Sequence, residues 1–239
     1  MCSAEAAETA GVPRDRWLFP HSGTDGADTN FVSNRADLHS SPAIRVAGRK
    51  AMALAGVTPD DIDHVDLYSC FPSAVQIAAT EMELGIDRQL TQTGGLTFAG
   101  GPLNNYVTHS IATMANVLRE DAGTIGLCSA NGGYITKHAF GLYSTNPPSN
   151  GFQHEDCQVE IDAFPSVELD AEHVGSGTIE AYTVMHGADG PERGLASVRT
   201  PNGRQWAGTS DLPLMESMMT EEHVGRSVEV LPDFSFELA

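Results

Sequence analysis

His64-Val65-Asp66-Leu67-Tyr68-Ser69-Cys70-Phe71-Pro72-Ser73 changes its period within a few residues. His64 to Tyr68 alternates apolar and polar side chains as a half-buried strand does. Phe71-Pro72-Ser73 then opens a helix that carries Val75, Ile77, Ala78, Met82 and Leu84. The turn between them, Tyr68-Ser69-Cys70, is a natural place for chemistry. Upstream, Ser41-Pro42 places a cap and a first-turn proline before Ile44, Ala47, Ala51, Leu54 and Ala55, which recur at helical spacing up to a Gly56 stop. Downstream, a glycine-rich turn from Gly94 to Gly101 precedes a helix expected over Tyr106 to Leu118. A short apolar strand, Gly123 to Cys128, runs into Asn131-Gly132-Gly133, and Tyr134 to Tyr143 reads as a further strand. Strand, helix, glycine loop, helix, strand predicts an α/β layer, a mixed sheet with helices on its faces.

The flanks differ. Residues 1–40 are rich in Gly, Asp, Ser and Asn around Trp17, Leu18 and Phe19, and Asp25-Gly26-Ala27-Asp28 reads as surface loop. Asn146-Pro147-Pro148-Ser149-Asn150-Gly151 marks a boundary, which gives an α/β region at 1–145, a linker at 146–157 and a second domain at 158–239. In that second domain apolar residues alternate at Ile179/Ala181/Thr183/Met185, Leu195 to Val198, Val228/Val230 and Phe234/Phe236/Leu238, with turn signals at Asp189-Gly190 and Asn202-Gly203. One helix, Leu212 to Met219, is capped by Ser210-Asp211. About five strands and a helix in so short a stretch predict a small OB-like β-barrel.

Composition narrows the function. The formal net charge is -19, from 13 Lys+Arg against 32 Asp+Glu, so the mean field repels nucleic acid and anionic membrane surfaces. Neither is expected as a partner, and no apolar run is long enough to span a bilayer. The acidic stretch around Trp206, Phe234 and Phe236 argues against a nucleic-acid-binding barrel as well. The four cysteines, Cys2, Cys70, Cys128 and Cys157, are far apart without CxxC spacing, which fits reduced thiols in a cytoplasm. No nucleotide-cradling glycine motif occurs, so no cofactor is implied.

Four ordered landmarks carry a resemblance. Leu54-Ala55-Gly56-Val57-Thr58-Pro59-Asp60-Asp61-Ile62-Asp63, then Tyr68-Ser69-Cys70-Phe71, then Gly94-Gly95 with Gly100-Gly101-Pro102-Leu103, then Leu127-Cys128 before a glycine-rich turn, resemble the C-terminal half of the thiolase superfamily. The β domain resembles the additional C-terminal domain of bacterial thiolase-like proteins labelled acetyl-CoA acetyltransferase. The resemblance implies a CoA thioester as substrate and acyltransferase chemistry, C–C bond formation or cleavage beside the thioester. It assigns Cys128 the acid/base role at Cα and places Tyr68 where the family holds an Asn or His over the oxyanion. Cys70 matches the cysteine of a His-Asp-Cys-Phe variant of that loop. Gly101 stands in place of the family histidine and offers only its backbone N–H. Asn104 and Asn131 are candidate amide donors to a carbonyl or to pantetheine, and equally ordinary turn residues. His109, about two helical turns from the loop, is by default a core or surface histidine and only in principle a substitute for the missing imidazole. The nucleophile-bearing half has no counterpart here, so the chain is expected to be inactive alone and to need a protein partner or a missing N-terminal half. A non-catalytic scaffold that keeps acyl-CoA affinity is the alternative. His154-Glu155-Asp156-Cys157 is not expected to bind metal, because consecutive residues of an extended segment face opposite ways.

Overall fold

A computed structural model describes residues 1–239, the side chain of Ala99 excepted. The chain forms two compact units, Met1–Asn30 with His39–Phe164, and Phe31–Leu38 with Pro165–Ala239.

The first unit is the α/β layer. Its strands are β1 (Phe19–Ala27), β2 (His64–Asp66), β3 (Ile125–Gly132), β4 (Lys137–Ser144) and β5 (Gln153–Asp156), in the sheet order β2-β3-β4-β1-β5. Its helices are α1 (Ala4–Thr9), α2 (Pro42–Ala55), α3 (Pro72–Glu81), α4 (Leu96–Ala99), α5 (Tyr106–Glu120) and α6 (Gln158–Ile161). The sheet is mixed: β2 runs parallel to β3 and β5 parallel to β1, while β4 is antiparallel to both of its neighbours. One core packs α2 and α3 against Val65, Leu67, Leu127, Phe140 and Leu142. A second cluster joins Met114 and Leu118 of α5 to Cys128.

The capping signals hold. The Ser41 hydroxyl accepts from the Ile44 N–H at 3.2 Å, Pro42 opens α2, and Gly56 closes it at φ 72°. The first forty residues depart from the loop expectation, because Asp25-Gly26-Ala27 lies inside β1, a strand flanked on both sides. Its polar side chains are affordable there because they are paired. The hydroxyls of Ser22 and Thr24 each donate at 2.7 Å to carbonyls of α2, those of Ala51 and Ala47. Asp28 accepts from the Ser41 hydroxyl at 2.5 Å and the Ala43 N–H at 3.1 Å, so it holds the start of α2. The segment 146–157, expected as linker, contributes β5 to this sheet.

The second unit contains β6 (Gly175–Gly187), β7 (Gly190–Arg199), β8 (Arg204–Thr209), α7 (Leu212–Thr220), β9 (Ser227–Val230) and β10 (Phe236–Leu238). Both turn signals lie where one strand gives way to the next, for different reasons. Gly190 has φ 131°, whereas a Cβ on Gly203 would stand 2.1 Å from the Glu168 carbonyl oxygen. The expected OB-like barrel is not closed. The strands form an open sheet, β10-β9-β6-β7-β8, whose edges meet only at a single parallel bridge between Gly208 and Ser235. A three-residue β10 is too short to complete a ladder along β8.

Residues 31–38 are held in this unit by the Asn34–Val167 hydrogen bonds, the Arg35–Ser166 bridge and one buried guanidinium. Arg204 is 0% exposed and is held by the Glu180 carboxylate at 2.7 and 2.8 Å. It also donates to the carbonyls of Ser33 and Arg35, each at 2.8 Å.

Candidate functional site

Three of the sequence-predicted residues meet at one cavity. A hollow of about 300 Å³ at the ends of β2 and β3 is lined by Tyr68, Asn104 and Asn131, together with Tyr106, Lys137 and His138. Each arrives from a different element: Tyr68 just after β2, Asn104 and Tyr106 from the segment entering α5, Asn131 late in β3, Lys137 and His138 from the start of β4. The parallel β2–β3 pair aligns Asp66 with Cys128, which brings Tyr68 beside Ala130 and Asn131. The Tyr68 N–H donates to Ser129 Oγ at 2.8 Å and fixes the turn from the β3 side.

Cys70 adjoins this wall, where Asn131 Nδ2 donates to its sulfur at 3.2 Å. Burial pushes the Cys70 thiol above its ordinary value, against the pull of two backbone N–H groups and the Asn131 amide. Tyr68 is also raised, by burial and by the neighbouring Cys70. The Tyr68 phenol is therefore a neutral hydrogen-bond donor at physiological pH.

Cys128 does not line the hollow. It is 3% exposed and packed against Met114 and Leu118, with Ile111 and Tyr143 beside them. Burial pushes its thiol up to about 12, opposed by the Ser110 hydroxyl and reinforced by Asp66. A thiol with that environment is a poor proton carrier at neutral pH. Gly101 is exposed and outside the lining, and a Cβ there would approach Leu96 Cδ2 to 3.0 Å. His109 is exposed on α5 and takes no part in the hollow.

Four residues escaped the sequence reading, Lys137 and His138 of the lining and two more. Asp66 looked like an ordinary polar position of an alternating strand, yet it is 0% exposed. Tyr106 looked like the first residue of a helix, yet its ring meets Tyr68 edge-on at 5.1 Å. An acidic residue between Val65 and Leu67, in a strand followed at once by a candidate site, was the available signal. Among the described residues no group of three metal-capable side chains converges, and His154 instead pairs with Asp25 at 3.0 Å. Among the described residues no helix is long and apolar enough to cross a membrane.

The chain is similar to known proteins in both of its units. Residues 24–86 match the family model described as thiolase C-terminal domain-like, and residues 156–234 match the thiolase-like protein type 1 additional C-terminal domain. A 3-ketoacyl-CoA thiolase of Alcanivorax borkumensis is 33% identical over 85 residues, 35% of this chain and 22% of that protein. Another of the same name, from a Marinomonas species, is 36% identical over 87 residues, with the same coverage. The crystal structure of a monomeric SCP2-thiolase-like protein type 1 from Mycobacterium smegmatis superposes with a TM-score of 0.89 at 35% identity, covering 99% of this chain and 54% of that one. The chain thus spans about half the length of that solved relative and about a fifth of the curated thiolases. With the α/β layer, the second β unit and these matches in register, the chain belongs to the thiolase superfamily, as a C-terminal region that carries the additional C-terminal domain.

Proposed function

We propose that the chain binds the acyl end of a CoA thioester in the hollow at Tyr68, Asn104 and Asn131, and that it does not perform thiolase chemistry by itself. The convergence of a neutral phenol and two amides on one hollow carries this reading. Such groups donate to a carbonyl oxygen without introducing charge. At about 300 Å³ the hollow is at the small end for ligand pockets, sized for a short acyl thioester rather than a whole CoA. Lys137 at its wall is a local cation for the anionic remainder of the substrate, within a chain of net charge -19.

C–C bond chemistry would require a nucleophile, an imidazole and a mobile proton. Gly101 supplies no imidazole, and Cys128 is packed away with its thiol pushed up to about 12. In this reading the acyltransferase role belongs to an assembly in which another polypeptide region, in the same protein or a partner, completes the site from the side of the 94–105 loop. The exposed Phe98 and Leu103, 85% and 92% accessible, support a covered loop in that assembly. The four free cysteines suit a reducing cytoplasm.

Calorimetric titration with acetoacetyl-CoA tests the binding, and deuterium exchange at Cα of butyryl-CoA tests the chemistry. Saturable binding that Tyr68→Phe and Asn131→Ala each weaken, with no exchange above buffer, is expected. Absence of saturable binding, or binding indifferent to both substitutions, refutes the proposal. Cysteine-dependent exchange lost in Cys128→Ser would restore the catalytic reading for the chain alone.

A further inference from the structure

Asp66 is a carboxylate sealed from solvent, and such a group persists only where donors surround it. All the donors to its Oδ1 come from one short segment. Oδ1 accepts from the Thr91 hydroxyl at 2.9 Å, the Gln92 N–H at 2.7 Å, and the N–H and hydroxyl of Thr93, both at 3.1 Å. The Thr93 hydroxyl is in turn 2.5 Å from the Tyr106 hydroxyl, which also stands 3.5 Å from Asp66 Oδ2. Tyr106 is 1% exposed, and its ring meets that of Tyr68 edge-on, with centroids 5.1 Å apart and planes at 83°. The glycines that follow, Gly94 and Gly95, have φ of 83° and 74°, so the loop bends sharply just beyond its anchor.

We propose that Asp66 is a positioning residue which, through Thr93 and Tyr106, sets the ring of Tyr68 in the wall of the hollow. The backbone of Tyr68 is fixed independently by Ser129, so the ring is the part left to be placed. A side chain with free χ angles would spread its hydroxyl over several rotamers, whereas an edge-on aromatic partner selects one. Tyr106 can act as that partner only while its own hydroxyl is tied down, and Thr93 and Asp66 tie it. A purely structural Asp66 would staple residues 91–93 to β2 and leave Tyr68 indifferent. The two roles differ in what Tyr106→Phe does, since that change keeps the ring and removes only the tie.

The ligand arm of the test rests on the acyl-CoA reading above, and the spectroscopic arm does not. With tyrosine labelled at Cζ, the Tyr68 carbon resonance is assigned by its disappearance in Tyr68→Phe. Asp66→Asn and Tyr106→Phe should each shift that resonance, and the double variant should shift it no further than either alone. Should Asp66→Asn fail to fold, Tyr106→Phe decides by itself. For acetoacetyl-CoA, Tyr106→Phe should raise Kd about tenfold, the worth of one well-placed hydrogen bond, and should have no effect in a Tyr68→Phe background. An unmoved Tyr68 resonance in folded Tyr106→Phe overturns the inference, as do strictly additive effects of Tyr106→Phe and Tyr68→Phe on Kd. A wild-type chain that binds no acetoacetyl-CoA refutes the acyl-CoA reading alone, and the resonance shift then decides this one.

Discussion

Cys70, in the turn after β2, and Cys128, in β3, carry the same chemical group, yet burial separates them. Cys70 is half-buried beside the hollow and bonded by an amide, while Cys128 is enclosed by α5. Native-state reaction with a thiol-specific disulfide reagent should therefore be fast at Cys2, slower at Cys70, and absent at Cys128 and Cys157 until unfolding. Mass spectrometry of the modified peptides reads the order, and rapid labelling of Cys128 in the folded chain would contradict its enclosure. The raised value of Cys128 also makes stability depend on pH. Unfolded, the thiol loses its proton near its ordinary value; folded, it keeps it to about 12. The native state thus binds more protons in that interval, so stability is full below the ordinary value and falls as pH rises toward 12. The contribution approaches about 1.4 kcal/mol per pH unit. Cys128→Ala should flatten the alkaline limb of a urea-midpoint profile.

At the scale of elements, β1 is a strand made mostly of residues that do not favour strands. Phe19-Pro20-His21-Ser22-Gly23-Thr24-Asp25-Gly26-Ala27 is stable because β4 and β5 supply its ladder and α2 accepts its hydroxyls. Gly26 shows how closely α6 approaches it, because a Cβ there would lie 2.2 Å from Ile161 Cδ1. Gly26→Ala is expected to cost about 1–3 kcal/mol by overpacking. Ile161→Val, which removes that methyl, should recover part of the loss when combined with it. Thermal melts of the two singles and the double measure the coupling, and simple additivity would count against the contact.

At the scale of the molecule, the second unit takes residues 31–38 from upstream, so its sequence is discontinuous. Glu180 lies between Arg204 and Arg199, with contacts of 2.7 and 2.5 Å. Burial pushes its carboxyl up, but the two guanidiniums win and hold it below its ordinary value. That stability is present above the ordinary carboxylate value and is lost as pH falls through the lowered one. Glu180→Gln should cost about 3–5 kcal/mol, because Arg204 would stay buried without a counter-charge. Chemical denaturation followed at Trp206, which lies in this unit, reports it. A fragment of residues 165–239 should not fold alone, since it lacks the Ser33 and Arg35 carbonyls that Arg204 requires. A well-dispersed amide spectrum from that fragment would refute the dependence.

Local chemistry sufficed wherever a residue's role is decided by its chain neighbours. Ser41-Pro42 and Gly56 bound α2, Asp211 caps α7, and Asp189-Gly190 turns β6 into β7, because caps and turns close within a few residues. The order of the thiolase landmarks was likewise legible, since it lies along the chain itself. Tertiary structure alone decided that residues 19–27 form a strand, that the β unit stays open at β8 and β10, and that residues 31–38 sit under Arg204. It decided the make-up of the candidate site in the same way. Tyr68, Asn104 and Asn131 meet while Cys128 and Gly101 stay outside, because side-chain burial depends on which elements pack together, and no short-range pattern encodes that choice.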